Sequence, residues 1–160
     1  ARTEAARLTL MRQFAARTVQ KRYLALVEGV PATLTGEINA PLGRDPHQRK
    51  QIAVMPANRG GRESVSHFKV IERLVDFSLL EVLPKTGRTH QIRVHLAFIG
   101  HPIVGDSVYG RRKQQIKLSR HFLHAESLTL IAPASGQAIT ISAPLPSELE
   151  AVLKSLRETS

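Results

Sequence analysis

Apolar positions recur at helical spacing in some stretches of this chain and at every second residue in others, and the two patterns predict its elements. Over residues 3–17, Leu8, Met11 and Ala15, with Phe14, form one stripe, while Arg2, Arg7, Arg12 and Arg17 fall largely off it. The spacing predicts a first helix whose arginines face water. From Val19 to Glu28 the period becomes two: Tyr23, Ala25 and Val27 share one face, and Leu24 and Leu26 the other. A strand apolar on both faces belongs in the middle of a sheet. Gly29 and Pro31 mark a turn. Leu34 to Ala40 is short and strand-like, Pro41 to Arg49 a polar loop with two prolines, Lys50 to Val54 a strand, and Met55 to Arg62 a second loop.

Glu63 to Arg73 and Asp76 to Leu83 both alternate, and the few residues between them leave room only for a turn, so the pair reads as an antiparallel hairpin. Next come a polar turn, Pro84 to Gly87, and a second helix, with Ile92, Leu96 and Ile99 on one face. Gly87 and Thr89 suit its entry, and Gly100 and Pro102 its exit. Arg111 to Arg120 is a basic connection without a pattern. Phe122 to Ile131 and Ala138 to Ala143 read as strands around the turn Pro133 to Gln137, and Pro144 and Pro146 stop the sheet. Ser147, with Glu150 three residues on, reads as a capping box for a last helix through Leu156. Strands paired in hairpins, with three helices, predict an α+β fold.

Composition narrows the class. The chain has 160 residues, one domain or most of one, and 42% are hydrophobic, enough for a core. Aromatics are few and Trp is absent, so aliphatic side chains must supply it. With no cysteine, disulfides and thiolate metal sites are excluded. Residues 1–16 lack the apolar run of a signal peptide, and no stretch approaches the ~18 apolar residues of a membrane span. The expectation is a soluble, cytoplasmic protein. Against 13 Asp and Glu stand 23 Lys and Arg, a net charge of +10. That favours a polyanionic partner, nucleic acid before membrane, because no strongly basic helix with a bulky apolar face is present.

The candidate chemistry is cationic. Arg88 sits where the second helix begins, and a helix N-terminus favours anions. Arg93 lies about 100° around the helix from Ile92, at the edge of its apolar face, where an Arg can reach into a cleft. From spacing alone both could equally solvate a surface helix. Arg44, Arg49, Lys50 and Arg62 flank the predicted hairpin, as phosphate grips or as solvated turns, and Arg111 and Arg112 are further candidates for RNA contact. Tyr23 reads as core, or as a residue facing a cleft to stack on a base. The seven histidines give no converging metal set: His90 and His95 are about 140° apart on their helix, and His121 and His124 face opposite sides of a strand. No metal is expected. Of the three aspartates, Asp45 lies in a loop and Asp76 in a turn; Asp106 follows Gly105, where its side chain can cap local backbone N–H groups.

The stretch GRTHQIRVH followed by GHPIVGDSVYG, residues 87–95 and 100–110, resembles the C-terminal signature of the RluA-type RNA pseudouridine synthases. Arg17 to Glu28 resembles that family's tyrosine segment, INAPLGRDPHQRKQIAV its insert between strands, and FLHAESL the apolar strand that completes its uridine pocket. The resemblance runs from near residue 5 to near residue 150. It implies a mainly antiparallel mixed sheet with flanking helices and a cleft across one face. This chain, residues 1–160, is then the C-terminal part of a single catalytic domain.

The resemblance also implies the chemistry. A uridine in structured RNA, ribosomal or transfer, flips into the cleft; an aspartate assists cleavage of its N-glycosidic bond; the base turns and rejoins through C5, with no cofactor. Carried onto this sequence, the arginine that positions the aspartate is Arg93, the tyrosine that stacks on the base is Tyr23, and the apolar residue that closes the pocket is Leu123. Arg88, His90 and Gln91 become supporting or RNA-binding candidates. The family's aspartate sits in an Arg-Leu-Asp segment that this chain does not contain. Two expectations follow: the chain is inactive alone, and Arg93 has no carboxylate partner, water or an anion taking its place. The alternative is a non-catalytic RNA-binding module using the same cleft.

Overall fold

The computed structural model describes residues 1–48 and 50–159. Six strands form one sheet: β1 (Gln20–Glu28), β2 (Thr35–Asn39), β5 (Val65–Arg73), β6 (Phe77–Pro84), β7 (Leu123–Ile131) and β8 (Ala138–Ser142), in the order β2-β5-β6-β1-β7-β8. Among the described residues every pairing is antiparallel, so the α+β class holds and the sheet is not mixed. β1 is central, as its two apolar faces predict; Ala25, Leu26 and Val27 are fully buried. Because β6 and β7 both run against β1, the chain must cross over β1 between them. That crossing carries α2 (Gln91–Phe98), which packs on β5 and β6.

The core is mainly aliphatic, with Phe68, Phe77 and Phe122 among it. Leu26, Leu80, Val82 and Leu96 have no accessible surface, and each stabilises the fold by about 1.5–3 kcal/mol. Ile92 and Leu96 place one face of α2 in this core, and Leu149 and Leu153 do the same for α3 (Ser147–Glu158). An ion pair from Arg157 to Glu72 ties α3 to β5. α2 ends at Gly100, whose φ of +85° lets His101 N–H reach the Leu96 carbonyl. α1 (Glu4–Ala15) starts at Thr3, whose hydroxyl accepts the Ala6 N–H.

Four local expectations change. Leu42–Arg44, read as loop, is strand β3; it pairs with β4 (Ile52–Val54) in a separate two-stranded ribbon. The capping box at Ser147 does not form, because Pro146 takes the N-cap position and no side chain caps the helix, which runs on to Glu158. α2 enters through His90, held at φ +55° with no side-chain cap, rather than through a capping Thr89. The apolar stripe of α1 is uncovered: Leu8, Met11 and Phe14 are all exposed and the helix buries nothing. Arg7 pairs with Glu4, and Arg17, just past the helix, with Glu63.

After α2 the chain turns through Gly105, at φ +78°, where a Cβ would collide with the Arg120 carbonyl oxygen. An L side chain there is strained twice, by backbone and by clash. Gly105→Ala is expected to lower stability by ~2–5 kcal/mol, read from the urea midpoint; a change under ~0.5 kcal/mol would show that the turn relaxes freely.

Candidate active site

Arg93 is held by a carboxylate. Its Nε donates to Asp106 Oδ2 at 2.7 Å and its Nη2 to Oδ1 at 2.8 Å, a two-pronged pair with side-chain exposures of 12% for Arg93 and 1% for Asp106. The expected unpartnered Arg93 is thus overturned, because the GHPIVGD loop folds an aspartate onto the helix. Asp106 also accepts the Val108 and Tyr109 N–H groups, the local capping its position predicts. Burial pushes its carboxyl up, but Arg93 and the two N–H groups outweigh burial and leave it below the usual range. On the other side, the Arg93 guanidinium lies 4.9 Å from the centre of the Tyr109 ring, a cation–π contact. Nη1 makes no bond among the described residues.

Arg93 stands on the wall of a cleft of about 530 Å³. β1 contributes Lys21 and Tyr23, the start of β7 contributes Leu123, and the chain just before it His121. Tyr23 and Leu123 share a sheet face, because Ala25 pairs with Leu123 and Tyr23 lies two residues from Ala25. The β1/β7 register slips between Arg22 and Tyr23, a bulge beside the cleft of the kind that re-aims side chains. Pro84, Thr86, Arg88, His90 and Gln91 supply the wall from the turn and α2, and Phe14 of α1 reaches the rim.

A buried polar chain fixes that wall. The Thr86 hydroxyl donates to Gln91 Oε1 at 2.7 Å and accepts the Val65 N–H at 3.0 Å. Gln91 Oε1 also accepts the Arg88 N–H, and its Nε2 donates to the Val65 carbonyl and to Ser66 Oγ. Ser66 Oγ bonds His95 Nδ1 at 2.9 Å, and His95 Nε2 bonds the Ala40 carbonyl at 3.0 Å. Burial lowers the pKa of His95 against that carbonyl, which raises it, so the ring stays neutral. With both ends of its amide engaged inside, Gln91 braces the turn; its candidacy as an RNA contact gives way to that geometry.

Tyr23, Leu123, Arg88, His90 and Arg93 therefore meet at one cleft. Arg44 and Arg62 line a neighbouring groove with Arg88, between the β3–β4 ribbon and the turn. Lys50 and Arg112 are exposed, away from both. Arg111 is outside the cleft as well, its guanidinium engaged at 2.8 Å by the buried carboxylate of Glu28. Arg49 lies outside the described residues. Four further residues matter here, and for three of them sequence spacing gives no signal. Lys21 Nζ donates to the Thr86 carbonyl, and burial first, then Arg17, lowers its pKa. His121 is lowered by burial and by Arg93. Tyr109 and Asp106 carry Arg93. The Asp106 link alone had a trace, a short acceptor after a glycine. Among the described residues no three of His, Cys, Asp and Glu come together as metal ligands, and no helix is long and apolar enough to cross a membrane.

A model of the family described as RNA pseudouridylate synthase matches residues 1–98. An uncharacterised RNA pseudouridine synthase of Chloroflexus aurantiacus is 49% identical over 158 residues, covering 99% of this chain and 49% of the relative. A ribosomal large subunit pseudouridine synthase D of Nitrosomonas europaea is 42% identical over 164 residues, covering 98% and 46%. The chain spans about half the length of the curated relatives it matches. The solved structure of human RNA pseudouridylate synthase domain containing 1 superimposes with a TM-score of 0.80 at 27% identity, over 98% of this chain and 73% of that one.

Removing Asp106 leaves the Arg93 charge buried without its partner. Asp106→Ala is expected to cost about 3–5 kcal/mol in urea unfolding. Because the folded pKa is depressed, the stabilisation is complete above the ordinary carboxyl value of 3.8 and fades as pH falls through the lower folded value. The gap between native and variant should narrow only in that acid window; a gap that already closes between pH 6 and 8, about where histidines titrate, would refute the pairing.

Proposed function

This chain belongs to the RNA pseudouridylate synthase family, and from that premise we propose that its cleft takes a uridine flipped out of a structured ribosomal or transfer RNA, for isomerisation to pseudouridine. The observation that carries the reading is the meeting of Tyr23, Arg93 and Leu123, distant in sequence, on one cleft large enough for a nucleoside. In this reading Tyr23 stacks on the base and takes the C5 proton after the base has rejoined through carbon, and Leu123 closes the pocket over it. Arg93 turns its free Nη1 toward a catalytic carboxylate. Its Nε and Nη2 are locked by Asp106, so the free edge of the guanidinium is pre-aimed.

That carboxylate comes from outside residues 1–160. None of the three aspartates follows Arg-Leu, and Asp106 is turned away, its oxygens used by Arg93 and two backbone N–H groups. The chain alone is therefore inactive and supplies the base pocket of a single catalytic domain. Arg44, Arg62 and Arg88, along the groove beside the cleft, bind the phosphate backbone on either side of the flipped nucleotide.

The test is tritium release from RNA labelled at uridine C5. This chain alone should release none, and a longer chain that includes an Arg-Leu-Asp segment should release it. Tyr23→Phe in the active form should slow release about a hundredfold. RNA binding without release by either form would favour the binding module; release by this chain alone would overturn the assignment of the carboxylate. Arg44→Ala and Arg62→Ala should each weaken RNA binding evenly across sequences and lower the slope of log affinity against log salt by about 1. An unchanged slope would remove these arginines from the interface.

A further inference from the structure

His90 occupies an unusual position. Among the described residues it is one of two non-glycine residues with positive φ, at +55°, where an L residue is strained, although His is among the residues that tolerate it better. Its backbone carbonyl accepts the Val94 N–H at 3.0 Å, anchoring it to α2. Its ring lies on the cleft wall, edge-on to the Tyr109 ring with centroids 5.6 Å apart. Nδ1 is 2.9 Å from the Tyr109 hydroxyl, and Nε2 has no partner among the described residues.

The Tyr109 hydroxyl has one proton to give, and its bonds settle where that proton goes. It accepts the Ile52 N–H at 3.0 Å, and a backbone N–H can only donate. Its one other partner among the described residues is His90 Nδ1. Were Nδ1 protonated, the hydroxyl would accept twice and its own proton would be left without an acceptor among the described residues. Both bonds of the Tyr109 hydroxyl are satisfied with its own proton engaged only when Ile52 N–H donates to the hydroxyl and the hydroxyl donates to a bare Nδ1. The imidazole proton then sits on Nε2. A doubly protonated ring is disfavoured too: burial first, and then the Arg93 guanidinium, lower the pKa of His90, with Asp106 opposing.

We propose that Tyr109 is a positioning residue which acts through His90: it fixes the ring as the neutral Nε2–H tautomer, so that the cleft offers an uncharged N–H donor to an acceptor oxygen of the bound nucleotide. This rests on the proposed uridine-binding function of the cleft. Around the cleft Arg88 and Arg93 supply full charges, whereas His90 adds a directional donor without a further one. Tyr109 also links that donor to the ribbon, because Ile52 is in β4 and pairs with Arg44 of β3. One hydroxyl thus joins the strand pair that carries a proposed phosphate contact to the group that meets the nucleotide.

The experiment has two readings. Long-range proton–nitrogen NMR of the imidazoles in this chain reports the tautomer without substrate or activity. His90 should show a protonated Nε2 and a bare Nδ1, and Tyr109→Phe, which keeps the ring against Arg93, should give a mixture of tautomers. A protonated Nδ1 in the native chain, or an unchanged tautomer in the variant, overturns the proposal. The second reading is C5 tritium release by the longer, active form. Tyr109→Phe and His90→Asn should each slow it about tenfold, and the double variant should be no slower than His90→Asn alone, since both remove one hydrogen bond. Additive losses, or no loss from Tyr109→Phe, overturn the positioning role. A thiocarbonyl in the target base that abolishes the Tyr109→Phe deficit assigns the oxygen to the base; a phosphorothioate that does so assigns it to the backbone; a deficit indifferent to both overturns the proposal. If the native active form releases no tritium, the proposed function fails on its own account, and the tautomer decides whether Tyr109 sets His90.

Discussion

The carboxylate of Asp106 under the guanidinium of Arg93 is the constraint around which the functional side of this molecule is arranged. A charge pair so buried pays heavily in lost hydration, and that loss is offset by four hydrogen bonds to the carboxylate, three on Oδ1 and one on Oδ2. Two N–H groups of its own loop and two of the guanidinium meet there. Loop and helix therefore cannot shift independently. The same pair sets the tilt of Arg93, which brings its charge against the Tyr109 ring and, through Tyr109, within reach of the ribbon and of His90.

Sequence carries the sheet well and the site in part. The central place of β1 was legible because a strand buried on both faces must be apolar on both, and the β5–β6 hairpin because so short a connection permits nothing else. Tyr23, Arg93 and Leu123 were recognisable through the motifs around them, whereas their meeting is a fact of topology: β1 and β7 are neighbours only because the chain crosses over between β6 and β7. The ribbon was half missed, since β3 is three residues with a glycine in the middle, too short for any period to register. The stripe on α1 was seen, but a pattern says which residues share a face and not what covers it. The pairing of Arg93 with Asp106 could not be read from spacing, because the turn through Gly105 brings Asp106 to the helix; the sequence showed only a short acceptor after a glycine.

Charge is distributed more economically than a net +10 suggests. Several cations are committed inside the chain: Arg22 bridges Glu81 and Glu126 across the sheet, Arg111 meets Glu28, and Arg157 meets Glu72. Pairs whose arginine is this open to solvent add little stability. They do remove competing positive charge from the faces away from the cleft. Arg44, Arg62 and Arg88 line one groove beside it, a cluster of positive charge of the kind that attracts a polyanion.

The polar chain behind the cleft has a direction. Thr86 gives its proton to Gln91, Gln91 gives one to Ser66, Ser66 gives its own to His95, and His95 gives its Nε2 proton to the Ala40 carbonyl. Each member is donor toward one neighbour and acceptor toward the other, so none can be exchanged for a group of opposite sense without setting donor against donor somewhere in a dry interior. Positions 66, 86, 91 and 95 accordingly make up one unit of inheritance: lineages would alter them in concert or keep all four.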